Sequence, residues 1–330
     1  MLCAMKVRAV GVFARVLLAV GALAVVAALA LGWVLTSAFT GGLATLPGGS
    51  LDGLANRPAE EPGDPLTVLL IGTDSRADEP EDGGVTGQRA DAMMVLRVAP
   101  DSSRADLISL PRDSWVDLPG HGQAKANAAL ALGGVPLTTQ LVETLTGWRV
   151  DHVAVVDFTA VREITTQLGG VEVDNYTNAP DPRTGRGFPA GKLTLAGDDA
   201  LEFVRQRYGL PNGDLDRIDR QQQLIKGIVA KTLTGDTLAN PNRLRLILSA
   251  LGTHATVDAD LAGPAFNRVA AQIAAVPGTA RTFYTAPTLG PGRSPDGQSY
   301  LVLDTTALKA ACADIAAGRT PTLPNKAPTP

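Results

Sequence analysis

A run of twenty residues from Val16 to Leu35, VLLAVGALAVVAALALGWVL, holds no charge and no proline. About 20 apolar residues are what a helix needs to cross the hydrocarbon core of a bilayer. Lys6, Arg8 and Arg15 precede the run, and the next basic residue is Arg57. That asymmetry predicts a cytoplasmic N-terminus over 1–15, a single transmembrane helix over 16–35 and an extracytoplasmic remainder. Trp33 falls where an interfacial aromatic belongs. A cleaved signal peptide is the competing reading, since Thr36-Ser37-Ala38 resembles a cleavage site. Signal cores are shorter, roughly 7–15 residues, and on either reading the body is exported.

The stretch 36–65 is rich in Gly, Pro and Ala without hydrophobic periodicity, and reads as a flexible linker. The Pro-rich tail 320–330, TPTLPNKAPTP, reads as disordered. Between them, 66–319 alternates strand and helix signals with no internal repeat and no break into two domains. Buried-strand candidates are Leu66–Gly72, Met93–Val98 and Ala105–Leu110, the last two flanking the turn PDSS as a hairpin. His152–Phe158, Gly170–Asn175, Arg281–Ala286 and Ser299–Asp304 follow. Helical periodicity marks Pro136–Leu145, Thr159–Leu168, Asp198–Val204, Asp214–Leu233, Arg243–Leu251, Pro264–Val276 and Thr305–Ala317. The order predicts an α/β fold: a mixed sheet covered by helices on both faces.

Composition narrows the chemistry. A net charge of -4 argues against nucleic acid as a partner. The two cysteines, Cys3 and Cys312, stand at opposite ends, and the three histidines are scattered, so no zinc-ligand spacing exists. Any metal should be a hard cation held by carboxylates and phosphate oxygens. Of 29 basic residues, 22 are Arg, a side chain whose planar fork suits phosphate. GC-rich coding accounts for the total equally well, so placement has to decide.

Four clusters are placed at element ends. GTDSR puts Asp74 and Arg76 just beyond the first strand, where α/β sheets bind ligands. Arg89 and Asp91 lie two apart in extended chain and face one side. LPRDS brings Arg112 and Asp113 to the same end, because antiparallel neighbours start where their partners finish. The plain alternatives are an ordinary turn Asp for the first cluster and a surface ion pair for the second; three clusters on adjoining strand ends are harder to dismiss than one. The fourth, FVRQRYGLPNGDLDRIDRQQQ, carries Arg205 and Arg207 on a helix exit. Asp214 is a candidate cap, and Arg217 and Gln221 share one helix face. The plain alternative is a solvated amphipathic helix with Arg220 as one of its exposed residues, but four arginines around one helix start make an anion-binding focus.

In order and spacing, GTDSR, RADAMMVLRV, SLPRDS, KANAALALGG, DHVAVVDF, GGVEV and RQRYGLPNGDLDRIDRQQQLI resemble the LytR-CpsA-Psr family of bacterial envelope proteins. The resemblance spans roughly Leu66 to Leu233 and continues to about Ala317. It implies a phosphotransferase that moves a glycopolymer from a polyprenyl-pyrophosphate carrier onto peptidoglycan at the membrane lipid surface. It assigns Asp74 and Asp91 to Mg2+ (or Mn2+), and Arg89, Arg112, Arg205, Arg207 and Arg217, with Gln221, to the pyrophosphate. Asp113 and Asp214 would orient arginines or activate the acceptor hydroxyl; Arg76, Lys125 and Asn127 would support the site. A long apolar pocket for the lipid tail is implied, with its lining unread. Against the extracytoplasmic cysteine pair of some relatives only Cys312 is expected outside, and none of their further C-terminal domain is expected. Arabinogalactan, teichoic acid and capsular polysaccharide stay open as cargo. A polyprenyl-pyrophosphate hydrolase and a non-catalytic lipid-carrier binding or regulatory protein are the rival functions.

Overall fold

Buried β-branched and aliphatic side chains alternate along Leu66–Thr73, and that alternation sets the architecture. Leu69 and Ile71 enter one core cluster, while Val68 and Leu70 pack into others. A strand buried on both faces sits between two helical layers. The computed structural model describes residues 32, 34, 36–46, 51, 53–60, 63–74, 90–263 and 265–323. Of the membrane span expected over 16–35, only residues 32 and 34 are among these, so that expectation lies outside the described residues. Among the described residues no helix is long and apolar enough to cross a membrane. Residues 324–330 of the expected disordered tail also lie outside.

The strands are β1 (Ala44–Thr45), β2 (Leu66–Thr73), β3 (Ala92–Val98), β4 (Ala105–Leu110), β5 (Ser114–Leu118), β6 (Gly122–Lys125) and β7 (His152–Asp157). They continue as β8 (Val171–Asn175), β9 (Gly191–Leu195), β10 (Ala255–Val257), β11 (Arg281–Thr285), β12 (Thr288–Arg293) and β13 (Ser299–Leu303). The main sheet runs β1-β10-β7-β2-β3-β4-β11. It is mixed: β2 is antiparallel to β3 and parallel to β7, and β11 is parallel to β4. A second sheet, β12-β13-β5-β6, and the hairpin β8-β9 complete the strands.

Helices α1 (Ala128–Thr146), α2 (Thr159–Gln167), α3 (Gly197–Arg205) and α4 (Asp214–Thr232) are followed by the single turn α5 (Gly235–Leu238). Then come α6 (Pro241–Thr253), α7 (Ala265–Ala275) and α8 (Thr305–Ala316). On one face of the sheet, Leu69, Ile71, Val95 and Ile108 pack with Leu141 of α1 and Leu308 of α8. On the other, Val68 and Val98 meet Val269 of α7, and Met94 and Leu107 meet Ile225 of α4. Helix α1 is two helical segments joined across a kink where Gly133 and Gly134 leave helical geometry, and the second, from about Pro136, is the one the periodicity predicts.

Part of the stretch read as a linker is packed onto this body. Phe39 and Leu51 are buried, β1 pairs with β10, and Arg57 donates to Glu143 Oε1 from Nε and Nη2 at 3.0 and 2.8 Å. The polar hairpin β5-β6 carries too few apolar residues to show as strands in the sequence, although Val116 and Leu118 turn inward.

Candidate active site

The antiparallel order of β2, β3 and β4 delivers three loops to one sheet edge. Register pairs Gly72 with Ala92 and Met93 with Leu110. Asp91 N–H donates to Gly72 O at 2.8 Å, which locks the entry of β3 to the exit of β2. Gly72 is needed there: a Cβ would lie 2.6 Å from the Phe158 ring and 2.9 Å from Ala92 Cβ. Asp74 and Asp91 therefore leave the sheet side by side. Arg76 and Arg89 lie outside the described residues.

Arginines meet both carboxylates. Arg205 Nη2 donates to Asp74 Oδ1 at 2.5 Å, and Arg112 Nη1 donates to Asp91 Oδ1. Arg112 Nε lies 3.7 Å from both Asp113 and Asp214. Lys125 Nζ reaches Asp113 Oδ1 at 3.0 Å, and Arg217 pairs with Asp214 one turn along α4. Arg217 Nη2 also approaches Asp91 O at 3.5 Å. Buried Asn127 supports from behind, its N–H donating to Arg112 O at 3.0 Å. The structure thus links Asp91, Arg112, Asp113, Lys125, Asn127, Asp214 and Arg217 in one network, with the Asp74–Arg205 pair at the neighbouring strand end.

Arg205 closes α3, and the chain is extended at Gln206. Gln206 is buried and donates to Ala179 O at 2.7 Å, while Arg207 next to it acts electrostatically on Asp113, Asp214 and Arg217. Two expectations are corrected. Asp214 does not cap α4: the N-cap is Gly213, and the Asp214 carboxylate turns to Arg217 instead. Arg220 is not solvated but buried, stacked 4.7 Å from the Phe203 ring centroid with Nη1 donating to Gln206 Oε1 at 2.5 Å. Burial lowers its pKa to about 10. Helical periodicity could not reveal this, because Phe188 and Phe203 reach it from a loop and another helix.

Electrostatics separates the two acidic side chains beside Arg112. Burial pushes the Asp113 carboxyl up, but Arg112 and Lys125 outweigh it and hold it below the ordinary range. For Asp214 burial prevails over Arg217 and Arg112, with Asp113 adding repulsion, and its pKa rises. Burial lowers that of Arg217. Among the described residues, Gln221 Nε2 and Oε1, Arg217 Nε and both Asp214 oxygens are buried without a well-aligned hydrogen bond. Asp214 Oδ1 nonetheless contacts Arg217; ion-pair proximity and hydrogen-bond alignment differ there. Buried polar groups left so cost stability unless a ligand satisfies them.

No group of three or more His, Cys, Asp or Glu side chains occurs among the described residues that could cage a metal unaided. Two carboxylates at adjoining strand ends do fit a hard cation that takes its other ligands from phosphate and water. Cys312 is buried, and desolvation pushes its thiol up to about 12, which makes it inert.

Arginines and carboxylates gather beyond the strand ends of the mixed sheet of this α/β protein. The chain belongs to the LytR_cpsA_psr family, whose model matches residues 51–315. It is 38% identical over 178 residues to the polyisoprenyl-teichoic acid–peptidoglycan teichoic acid transferase TagU of Enterococcus faecalis, covering 54% of this chain and 57% of TagU. It is 33% identical over 276 residues to the cell wall biosynthesis protein LcpA of Corynebacterium glutamicum, covering 72% of this chain and 53% of LcpA. The chain thus spans about half the length of these curated relatives. A crystal structure of protein gbs0355 from Streptococcus agalactiae shares the fold with a TM-score of 0.64 at 23% identity, over 80% of this chain and 91% of that one. TagT bound to LI-WTA superposes with a TM-score of 0.59 at 25% identity, over 80% and 98%.

Proposed function

We propose that this protein is a membrane-anchored, extracytoplasmic phosphotransferase that moves a glycopolymer from a polyprenyl-pyrophosphate carrier onto peptidoglycan. The observation that carries the reading is the strand-end network of Asp91, Arg112, Asp214 and Arg217, with Asp113 and Lys125 beside it. Family membership and the likeness to TagU, a teichoic acid transferase, support it. Arg112, Arg205, Arg207 and Arg217, with Arg89 ahead of β3 in the sequence, would grip the pyrophosphate oxygens, and Gln221 would hydrogen-bond them. Asp74 and Asp91 would hold Mg2+ (or Mn2+), which supplies neutralisation of the pyrophosphate charge.

In the reaction an acceptor hydroxyl oxygen attacks the sugar-linked phosphorus. A new P–O bond forms, the bond to the bridging oxygen breaks, and polyprenyl phosphate leaves with its electron pair. Asp113, ionised beside Arg112 and Lys125, accepts the hydroxyl proton. Arginine forks suit this step because it needs positioning and charge stabilisation more than covalent help.

The lipid tail would lie along apolar surface that starts at the site. Ala92, Met94, Phe158, Ile225 and Phe283 form one cluster beneath it. Phe283 also lines a cleft of about 740 Å3 with Val229, Leu233, Leu238 and Val276. The test is to incubate the full-length protein with a sugar-labelled polyprenyl-pyrophosphate glycan, peptidoglycan chains and Mg2+. Label on peptidoglycan is expected. Label released only as soluble sugar phosphate would make the protein a hydrolase, and intact donor would remove the catalytic reading.

A further inference from the structure

The proposed reaction needs a second substrate, and one surface beside the site has the chemistry for it. Lys125, which reaches Asp113 at 3.0 Å, is the cross-strand partner of Trp115 in the second sheet. Trp115 and Tyr300 stack with ring centroids 4.6 Å apart and planes 19° apart. Tyr300 lies two residues before Val302, which pairs with Trp115, so both rings rise from the same face. Ser114, Val116 and Leu118 point the other way and are buried.

Polar side chains flank the rings. Trp115 Nε1 donates to Gln123 Oε1 at 2.9 Å, and Gln123 pairs across the hairpin with Asp117; both are exposed. Gly292 opposite Tyr300 makes room for its ring, since a Cβ there would lie 2.4 Å from it. An aromatic pair, an amide, a carboxylate and an ammonium on one face suit a pyranose: the rings meet its C–H face and the polar groups its hydroxyls and acetamido groups. A phosphorylated or lipid partner would call for cations in place of this mixture.

We propose that this face, Lys125–Trp115–Gln123–Tyr300, binds the acceptor glycan, a β-1,4-linked N-acetylhexosamine chain, and leads its hydroxyl toward Asp113. The inference rests on the transferase reading for its purpose, but not for its measurement. Its continuity with the site through Lys125 selects the acceptor over the donor, whose pyrophosphate belongs on the arginines.

The experiment is calorimetric titration of the full-length protein in detergent with chitotetraose, alongside Trp115→Ala, Trp115→Phe and Tyr300→Ala. Wild type should bind, and Trp115→Ala should weaken binding about tenfold. Trp115→Phe should recover part of the loss, and Tyr300→Ala should fall between. Geranylgeranyl pyrophosphate should bind all four proteins alike. Wild type that ignores chitotetraose at millimolar concentration overturns the proposal. So does a Trp115→Ala protein that loses thermal stability yet keeps its sugar affinity. No turnover enters the readout, so absent transfer by wild type would count against the function above and leave this result standing.

Discussion

Two buried charged regions of this molecule use the same side chains to opposite ends. At the foot of α1, Glu143 Oε1 accepts from Arg57 Nε, Arg57 Nη2 and Val150 N–H. Beside β7, Asp258 accepts from Val153 N–H at 2.8 Å and Leu261 N–H at 2.9 Å and contacts His152 at 3.1 Å. Both carboxylates are satisfied and hold structure. On α4 beside the strand ends, Gln221 is buried and Asp214 is 13% exposed, yet their polar atoms lack aligned partners among the described residues. The difference between these particular groups is that Glu143 and Asp258 are complete without a ligand, whereas Asp214 and Gln221 are left for one to complete.

The comparison breaks if removal of a site arginine costs stability in place of function. Arg112→Ala should reduce glycopolymer transfer on the order of 10²- to 10³-fold, as loss of one transition-state donor does, with circular dichroism unchanged. The structural side predicts the reverse. Glu143→Ala strands the Arg57 charge and should cost about 3–5 kcal/mol in denaturant unfolding, with activity per folded molecule retained.

Much of this arrangement is legible in the sequence. Strand alternation in Leu66–Gly72 and the hairpin flanking PDSS place Asp74, Asp91, Arg112 and Asp113 at one edge, and the observed register agrees. The Asp113–Lys125 contact was not legible as geometry, because it depends on the short polar hairpin β5-β6. Arg220 was misread since one helix's periodicity does not report which other elements cover it. The packing of Phe39, Leu51 and Arg57 escaped for a related reason: isolated anchors in Gly- and Pro-rich chain carry no period.

Smaller effects sharpen the contrast. Gln221→Leu should leave stability within about 1 kcal/mol of wild type, because an unsatisfied buried amide is replaced by an apolar group of similar shape. The same variant should weaken pyrophosphate binding several-fold by calorimetry. The pH dependence of stability tests the satisfied side. Burial raises the Asp258 carboxyl, but hydrogen bonds from His152, Leu261 N–H and Val153 N–H outweigh it and hold its pKa below the ordinary value. A carboxylate depressed in the fold adds stability above its unfolded pKa and loses it as pH falls toward the folded one. Below about pH 4 the wild-type Tm should therefore drop, and Asp258→Asn should flatten that part of the profile.

The central claim is that the strand-end arginines form a pyrophosphate site. It is tested most directly by titrating geranylgeranyl pyrophosphate with Mg2+ into full-length wild type and Arg217→Ala. Loss of a charged hydrogen-bond donor should weaken binding on the order of 10- to 100-fold while the Tm of the unliganded variant stays near or above that of wild type. Equal affinity in the two proteins would contradict the account.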